Sequence, residues 1–518
     1  MNKLFVTKPL DQILSEAKAE GQHGLKRVLG PLNLIALGIG AVIGAGIFVI
    51  TGSAAAQFTG PAVALSFVLA GIGCAFAGIC YAELAAMIPI SGSAYTYGYA
   101  SMGEFVAWVI GWDLVLEYAF SAATVASGLS GNLVSLLQDM GIHLPPQWIE
   151  TPGREVYFFQ GRWELLTAIE PTIKAAGISA DSLPHETAIF NVPAFLAVCV
   201  VSLILVIGVR ESANFNVIAV FIKVATVIIF IVIAANFLWH NPQLAAENWH
   251  PYIPPNKGNF GEFGWSGIAR GASSIFFAYI GFDAVSTAAQ EARNPQRDMP
   301  IGLLGSLAIC TVLYLAVGTI LTGVIHYSRL NVAAPVALAI DATGVKWGSL
   351  LVKGGSIAGL STVMLTTLMG QSRIFYTMSK DGLLPKWASV IHPRFKTPWI
   401  STLTVGLFIA IFAGLLPISV LGDLVSIGTL FAFIIVCFGV WILRKQRPDI
   451  HRPFKTPWVP VVPLAGVGIS LFLMFSLPFD TWMRLIVWMA IGIVIYFGYS
   501  RRHSHVQQKA VASTEPQS

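Results

Sequence analysis

Gly38-Ile-Gly-Ala-Val-Ile-Gly-Ala-Gly-Ile-Phe48 is the stretch on which the fold turns. It lies in an apolar run from about Leu32 to Gln57, 26 residues and long enough to cross a bilayer. Gly38, Gly40, Gly44 and Gly46 place four glycines within nine residues. That is poor material for a continuous helix, because glycine has the most backbone entropy to lose. In lipid a broken helix persists only where protein or a water-filled cavity satisfies its freed backbone groups. Such a break marks a binding site made of main-chain atoms near mid-membrane. The competing reading is a helix whose glycines let a neighbour pack closely.

Composition sets the class. The chain of 518 residues is 55% hydrophobic and 11% charged, with a mean hydropathy of +0.72. Soluble domains carry about 25% charged residues, so an all-α polytopic membrane protein is expected. The net charge of +5 is spread through loops and shows no nucleic-acid footprint. Cys74, Cys80, Cys199, Cys310 and Cys437 lie in apolar runs without metal-ligand spacing and read as small buried hydrophobes. No metal or cofactor is implied. The polar residues 1–31 and the long first apolar run do not read as a cleavable signal peptide.

Twelve apolar stretches follow, at about 32–57, 61–87, 105–136, 190–209, 213–238, 265–290, 301–326, 347–378, 399–416, 421–442, 459–477 and 482–500. Lys and Arg collect in alternate loops, and so on one side, from Lys3, Lys8, Lys18, Lys26 and Arg27 through Arg444, Lys445 and Arg447 to Arg501 and Arg502. The positive-inside rule then puts both termini in the cytoplasm of a plasma (inner) membrane protein. Residues 1–31 and 501–518 are cytoplasmic segments. Residues 137–189, with Pro145, Pro146, Pro152, Pro171 and Pro184, form an external insertion, expected as a small ordered cap or an irregular loop. Residues 88–104 are aromatic and small, which suits an amphipathic segment against the inner mouth.

Span six reads Ile275-Phe-Phe-Ala-Tyr-Ile-Gly-Phe-Asp-Ala-Val285, interrupted by Gly281 and Asp283. If 32–238 and 265–442 are two halves of five spans each, the interrupted segments hold matching first positions. That is the pointer to an inverted repeat with a site between the halves, and it favours the binding-site reading of the opening stretch. Spans at 459–500 lie outside the repeat. Amides starting a half-helix favour an anion, and carbonyls ending one favour a cation. A site with both fits the carboxylate and amine of an amino acid. The donors are expected near Ala45 and Gly46, with Ile43 and Gly44 just before them. The acceptors are expected at the carbonyls of Phe277, Ala278 and Ile280, and Phe277 could also gate the ligand.

Several ionisable side chains fall inside spans, where they are functional by default. Lys223 lies about ten residues into span five, about 15 Å deep by helical rise. A desolvated ammonium gives up its proton more readily than one in water, so Lys223 is the candidate proton-coupling group. The alternative is a fixed ammonium bonded to carbonyls of the broken helix, or standing where another transporter holds a sodium ion. Asp113 and Glu117 share a face of span three at i, i+4. Glu117 could face the substrate amine or a cationic side chain, or join a proton path, and Asp113 is more structural. Glu83 reads as a gate or interfacial ion-pair residue, and Asp283 as a cap or inner-gate partner. Arg270 is expected to snorkel to the outer interface. In span eight, Thr366 or Thr367 could line the pocket floor, although back-bonding to their own helix is the usual fate of such hydroxyls.

On these residues the chain resembles the amino acid–polyamine–organocation superfamily, and within it the cationic amino acid transporter family with its bacterial proton-coupled permeases. The resemblance runs over roughly 24–500. It is carried by Gly-Leu-Lys-Arg at 24–27, Gly-Ala-Gly-Ile-Phe at 44–48, Tyr-Ala-Glu-Leu at 81–84, Trp-Asp-Leu-Val-Leu-Glu-Tyr at 112–118 and Gly-Phe-Asp-Ala-Val at 281–285. Glu291-Ala-Arg-Asn-Pro-Gln-Arg-Asp-Met-Pro300 and Arg373-Ile-Phe-Tyr-Thr-Met-Ser-Lys-Asp-Gly-Leu-Leu-Pro385 complete it. It implies the leucine-transporter-like fold of five plus five inverted spans and two more. It also implies that Lys223 matches the proton-coupling lysine, Glu117 the third-helix glutamate, and Thr367 the position that helps set side-chain size. The insertion at 137–189 and Arg270 depart from the bacterial pattern. The expected activity is amino acid import by alternating access with protons, by a chain working as a monomer in the lipid bilayer. An amino acid exchanger or a facilitator selective for cationic amino acids is the alternative, then a nutrient sensor. No nucleophile–base set suggests an enzyme.

Overall fold

The computed structural model describes residues 29–87, 93–208, 213–282, 285 and 292–512. The fold is a bundle of helices carrying one small external sheet. The opening stretch is broken as its glycines suggest. Helix α1 (Pro31–Val42) ends at Ile43, whose backbone is extended. Helix α2 then runs on through turns Gly46–Ile50, Thr51–Ala54 and Ala55–Thr59. Two of these turns are of the wide π type, a form concentrated at functional sites. Gly60, at φ +62°, turns the chain into α3 (Val63–Met87).

Next come α4 (Ser93–Ser101), α5 (Glu104–Asp139), and, past the insertion, α7 (Val192–Ile207), α8 (Ala213–His240) and the short α9 (Pro242–Asn248). Helix α10 (Gly264–Ile275) passes into a tight turn at Phe276–Tyr279. Then follow α11 (Pro295–Val324), α12 (Pro335–Ala342), α13 (Lys346–Lys380), α14 (Trp399–Leu415) and α15 (Ile418–Gln446). The chain closes with α16 (Val461–Phe475), α17 (Phe479–Ile495) and, on the tail, α18 (His505–Ala512).

Helices occupy described residues in each of the twelve expected stretches. Seven of those described are long and apolar enough to cross a bilayer, the first running through Gly46–Met87. Pro31–Val42, Val192–Ile207, Trp399–Leu415 and Val461–Phe475 are apolar but shorter. The chain is therefore a polytopic helical membrane protein. Its outer rows of exposed Leu, Ile, Val and Phe, such as Leu196, Val200 and Phe221, suit a lipid surround.

The insertion is ordered. Strands β1 (Glu155–Phe159), β2 (Arg162–Leu165) and β3 (His185–Thr187) form an antiparallel sheet in the order β2-β1-β3, with α6 (Leu166–Ala175) packed on it. Ionic contacts tie it down. Arg162 pairs with Asp139 and, at 3.1 Å, with Asp341; the fully buried Lys353 of α13 joins the same two carboxylates.

The aromatic segment differs from its expectation. Residues 88–92 lie outside the described residues. Ser93–Ser101 form α4, whose Tyr95, Tyr97 and Tyr99 are buried in protein and not spread along an interface. The Tyr99 hydroxyl donates to the buried Glu104, and Tyr496 and Gln507 donate to its other oxygen. That cluster docks the C-terminal helix on the start of α5. Of the cysteines, four are buried and Cys199 is partly exposed; all are free.

Candidate substrate site at two crossed helix breaks

The two interruptions lie against each other. The second falls at Ile280, extended at φ −61° and ψ 141°, and Gly281, at φ +105°. A Cβ on Gly46 would sit 2.3 Å from the Ala278 Cα, and one on Gly281 would sit 2.7 Å from the Ala41 carbonyl oxygen. The glycines thus let two bare backbones cross in contact, which is also the close-packing role weighed for the opening stretch. The glycines pack, and what they pack together is the chain flanking the two breaks.

Helix α2 starts without a preceding turn. Phe48 N–H donates to the Gly44 carbonyl at 3.3 Å. Among the described residues the amides of Ala45, Gly46 and Ile47 donate to no backbone carbonyl. They are the unsatisfied donors at the positive end of a helix dipole, where an anion is favoured. All three residues are buried. Gly44 has slightly more room, since its Cβ would meet the Val363 methyls of α13 at 3.1 and 3.3 Å.

The acceptor side is more occupied than expected. The Ala278 carbonyl lies 2.7 Å from the Tyr314 hydroxyl, which also lies 2.9 Å from the Val42 carbonyl. One hydroxyl proton can serve only one of them at a time. Tyr314, on α11, therefore staples the two breaks together and leaves one acceptor short of a donor. The Phe277 carbonyl accepts the Ile280 N–H at 3.1 Å. Phe277 is buried at the crossing.

Lys223 is buried, and its ammonium donates to the Gly40 carbonyl at 2.6 Å, in the last turn of α1. Its stem passes Gly359 of α13, where a Cβ would lie 3.1 Å from the Lys223 Cγ. This is the bond to the broken helix's carbonyls weighed from sequence. Thr367 is buried, but its hydroxyl donates to the Val363 carbonyl at 2.6 Å and Thr366 likewise bonds its own helix. Glu117 is buried on α5. One turn before it, Asp113 is fully buried with no hydrogen-bond partner for either oxygen among the described residues, and a Cβ at Gly428 of α15 would come 3.2 Å from it. Asp283 lies outside the described residues.

Two ionic residues stand elsewhere than at the site. Glu83 takes a two-pronged contact from Arg444, at 2.9 and 2.7 Å, the Thr456 amide at 2.7 Å, and Arg452 at 3.3 Å. It is an ion-pair anchor between α3, α15 and the following loop. Arg270 does not snorkel. It is 5% exposed and pairs with Asp423 of α15 at 2.5 Å, because a partner carboxylate faces it inside the protein. Sequence reasoning missed Tyr314, Val363 and Asp423. A hydroxyl inside the apolar run around Tyr314 was the only signal on offer, and nothing in the spacing linked it to either break.

A polytopic helical bundle that buries bare backbone and a lysine where two broken helices cross has the architecture of a membrane transporter. The profile of the amino acid permease family matches residues 29–496. The chain belongs to the amino acid permease family. It is 41% identical over 504 residues to a methylthioribose transporter of Bacillus subtilis, covering 97% of this chain and 99% of that one. It is also 41% identical to a branched-chain amino acid permease of the same organism, covering 95% and 97%. A vacuolar cationic amino acid transporter of Arabidopsis thaliana is 35% identical, covering 87% and 68%. These relatives are named as transporters and permeases, not enzymes.

Proposed function

We propose that this protein imports amino acids by alternating access, coupled to protons through Lys223. The observation that carries the reading is the contact of the two helix breaks at Gly46 and Ala278. Free amides at Ala45 and Gly46 are suited to the substrate carboxylate, with Ile43 and Gly44 shaping the approach. The carbonyls of Phe277 and Ile280, and that of Ala278 when Tyr314 turns to Val42, are suited to the amine. Charged, Lys223 holds the end of α1 by a charge-assisted hydrogen bond, which is stronger than a neutral one. On losing its proton it loosens that hold, and α1 becomes free to swing and open the inner side. Proton occupancy and helix position are then one equilibrium.

The surrounding architecture in this proposal is twelve crossings, arranged as inverted halves 32–238 and 265–442 with 459–500 added. Both termini face the cytoplasm of the plasma membrane, and the chain acts as a monomer. A neutral, apolar side chain is favoured, since Val363 presents methyls to Gly44 and Thr367 spends its hydroxyl on its own helix. The name of the branched-chain permease agrees with this. A cationic side chain would instead call on Glu117, as the cationic amino acid transporters suggest.

The test is counterflow and uptake in proteoliposomes with leucine, valine, arginine, lysine and methylthioribose, with and without an inward proton gradient. Leucine or valine uptake driven by the gradient is expected. Indifference to the gradient would reject proton coupling, and uptake of methylthioribose alone would reject the amino acid reading.

A further inference from the structure

We infer that Arg270 and Asp423 form an outer subsite that receives the zwitterionic head of an α-amino acid, the substrate's two charges replacing the pair's own. This rests on the amino acid reading above and adds a second, selective station outside the crossing.

The pair is buried and incompletely satisfied. Arg270 Nη2 meets Asp423 Oδ2 at 2.5 Å, and Ser274 Oγ donates to Oδ1 at 3.3 Å. The guanidinium lies over the Phe58 ring at 4.3 Å. Its Nη1 is buried and has no hydrogen-bond partner among the described residues. Guanidinium donors left unpaired in protein are costly. Here the spare donor stands beside a carboxylate already in use, in a geometry that a bidentate carboxylate ligand would complete.

Its place is on the outer side of the crossing. Arg270 precedes Ala278 by eight residues of α10 and its closing turn, about 12 Å of rise. Asp423 follows Gly422, where a Cβ would lie 3.0 Å from Ile50 Cδ1. Ile50 is four residues, about 6 Å, outward of Gly46 along α2. Ser426 Oγ donates to the Ser274 carbonyl at 3.3 Å, seating α15 on α10 just inward of the pair. The contact thus joins the outer end of α2, through Phe58, to α10 and α15. In this conformation it is closed.

An incoming zwitterion can open it without stranding a charge. Its carboxylate takes the Arg270 fork, Nη1 included, while its ammonium takes Asp423. Each buried charge keeps a partner throughout. An uncharged sugar offers neither replacement and would leave both charges apart in a desolvated place, the costly case for a buried pair. The pair therefore selects amino acids over uncharged solutes of similar size before they reach the crossed breaks.

The full-length protein in proteoliposomes decides this by leucine uptake kinetics. Replacing both members with apolar residues, as Arg270→Met with Asp423→Leu, is expected to raise KM about thirtyfold or more, and to raise it by more than the maximal rate falls. Arg270→Lys keeps the charge and the fold but loses the fork, and its KM is expected to rise about fivefold or more. An unchanged KM in Arg270→Lys and in the apolar pair, whatever happens to the maximal rate or the melting temperature, would overturn the subsite. A parent protein that takes up no amino acid would instead overturn the reading on which it rests.

Discussion

Gly44 and Gly46 stand two residues apart in the same break, yet their replacement by alanine should have very different consequences. At Gly46 the new Cβ would lie 2.3 Å from Ala278 Cα and 2.4 Å from its Cβ. Carbon atoms in good contact are about 3.5–4.0 Å apart, so the two breaks must separate by about 1.2 Å or more. Neither contact is the free end of a flexible side chain, so backbone has to move. Overpacking of this kind costs about 1–3 kcal/mol of stability. The transport loss should be larger, since a shift of about 1 Å in a positioned site is worth about a hundredfold in rate. At Gly44 the new Cβ meets only the Val363 methyls, at 3.1 and 3.3 Å. A rotamer adjustment of a few tenths of an ångström absorbs that, and less than about a threefold loss is expected. Gly468 has nothing within 4 Å, and Gly468→Ala serves as the insertion and expression control. The assay is uptake into proteoliposomes per folded molecule, with the folded fraction read by size-exclusion chromatography. Gly46→Ala transporting at the parent rate, or Gly44→Ala failing as completely as Gly46→Ala, would refute the crossing as the substrate site. Valine at either position should abolish uptake while the protein still inserts.

Four further outcomes follow from the geometry. Lys223→Ala removes the bond to the Gly40 carbonyl and should abolish acceleration by an inward proton gradient; a variant still driven by the gradient would show that Lys223 is not the coupling group. Glu83→Gln leaves Arg444 and Arg452 short of their shared carboxylate, and about 3 kcal/mol of stability should be lost, seen as a lower melting temperature in detergent. Lys353→Met takes the buried cation from between Asp139 and Asp341, so the insertion should be cleaved faster by added protease while the rest of the bundle resists. Glu150, in the insertion, is held above the ordinary glutamate range by burial, which outweighs Arg154 and the Thr151 amide. A raised carboxyl favours folding in its protonated form, so its contribution is full in acid and is lost as pH climbs through the raised value. The melting temperature of Glu150→Gln should therefore gain on the parent as pH rises above the ordinary glutamate range, and a constant difference would contradict this.

Much of the local structure at the candidate site was legible because its signals are local. Glycine density breaks a helix wherever it sits, and the breaks at Ile43–Gly44 and Ile280–Gly281 fall within the stretches chosen for that reason. A lysine ten residues into an apolar run must find a carbonyl or lose its charge, and Lys223 found Gly40. Arg270 shows the limit. Near a helix end in lipid, snorkelling is the sound default, and only a carboxylate 153 residues further along the chain makes burial cheaper.

The sequence by itself determined the membrane class, the positions of the apolar stretches, the two interruptions and the buried lysine. Each of these depends on composition or on backbone entropy within a single segment. Only the tertiary structure decided that the two breaks touch and that Tyr314 claims the Ala278 or the Val42 carbonyl. It also decided that Thr367 turns back on its own helix, that Glu83 anchors two arginines, and that 137–189 folds into a pinned sheet. Those outcomes are matters of pairing. A donor's partner is set by which helices the packing brings together, and no spacing along one segment encodes it.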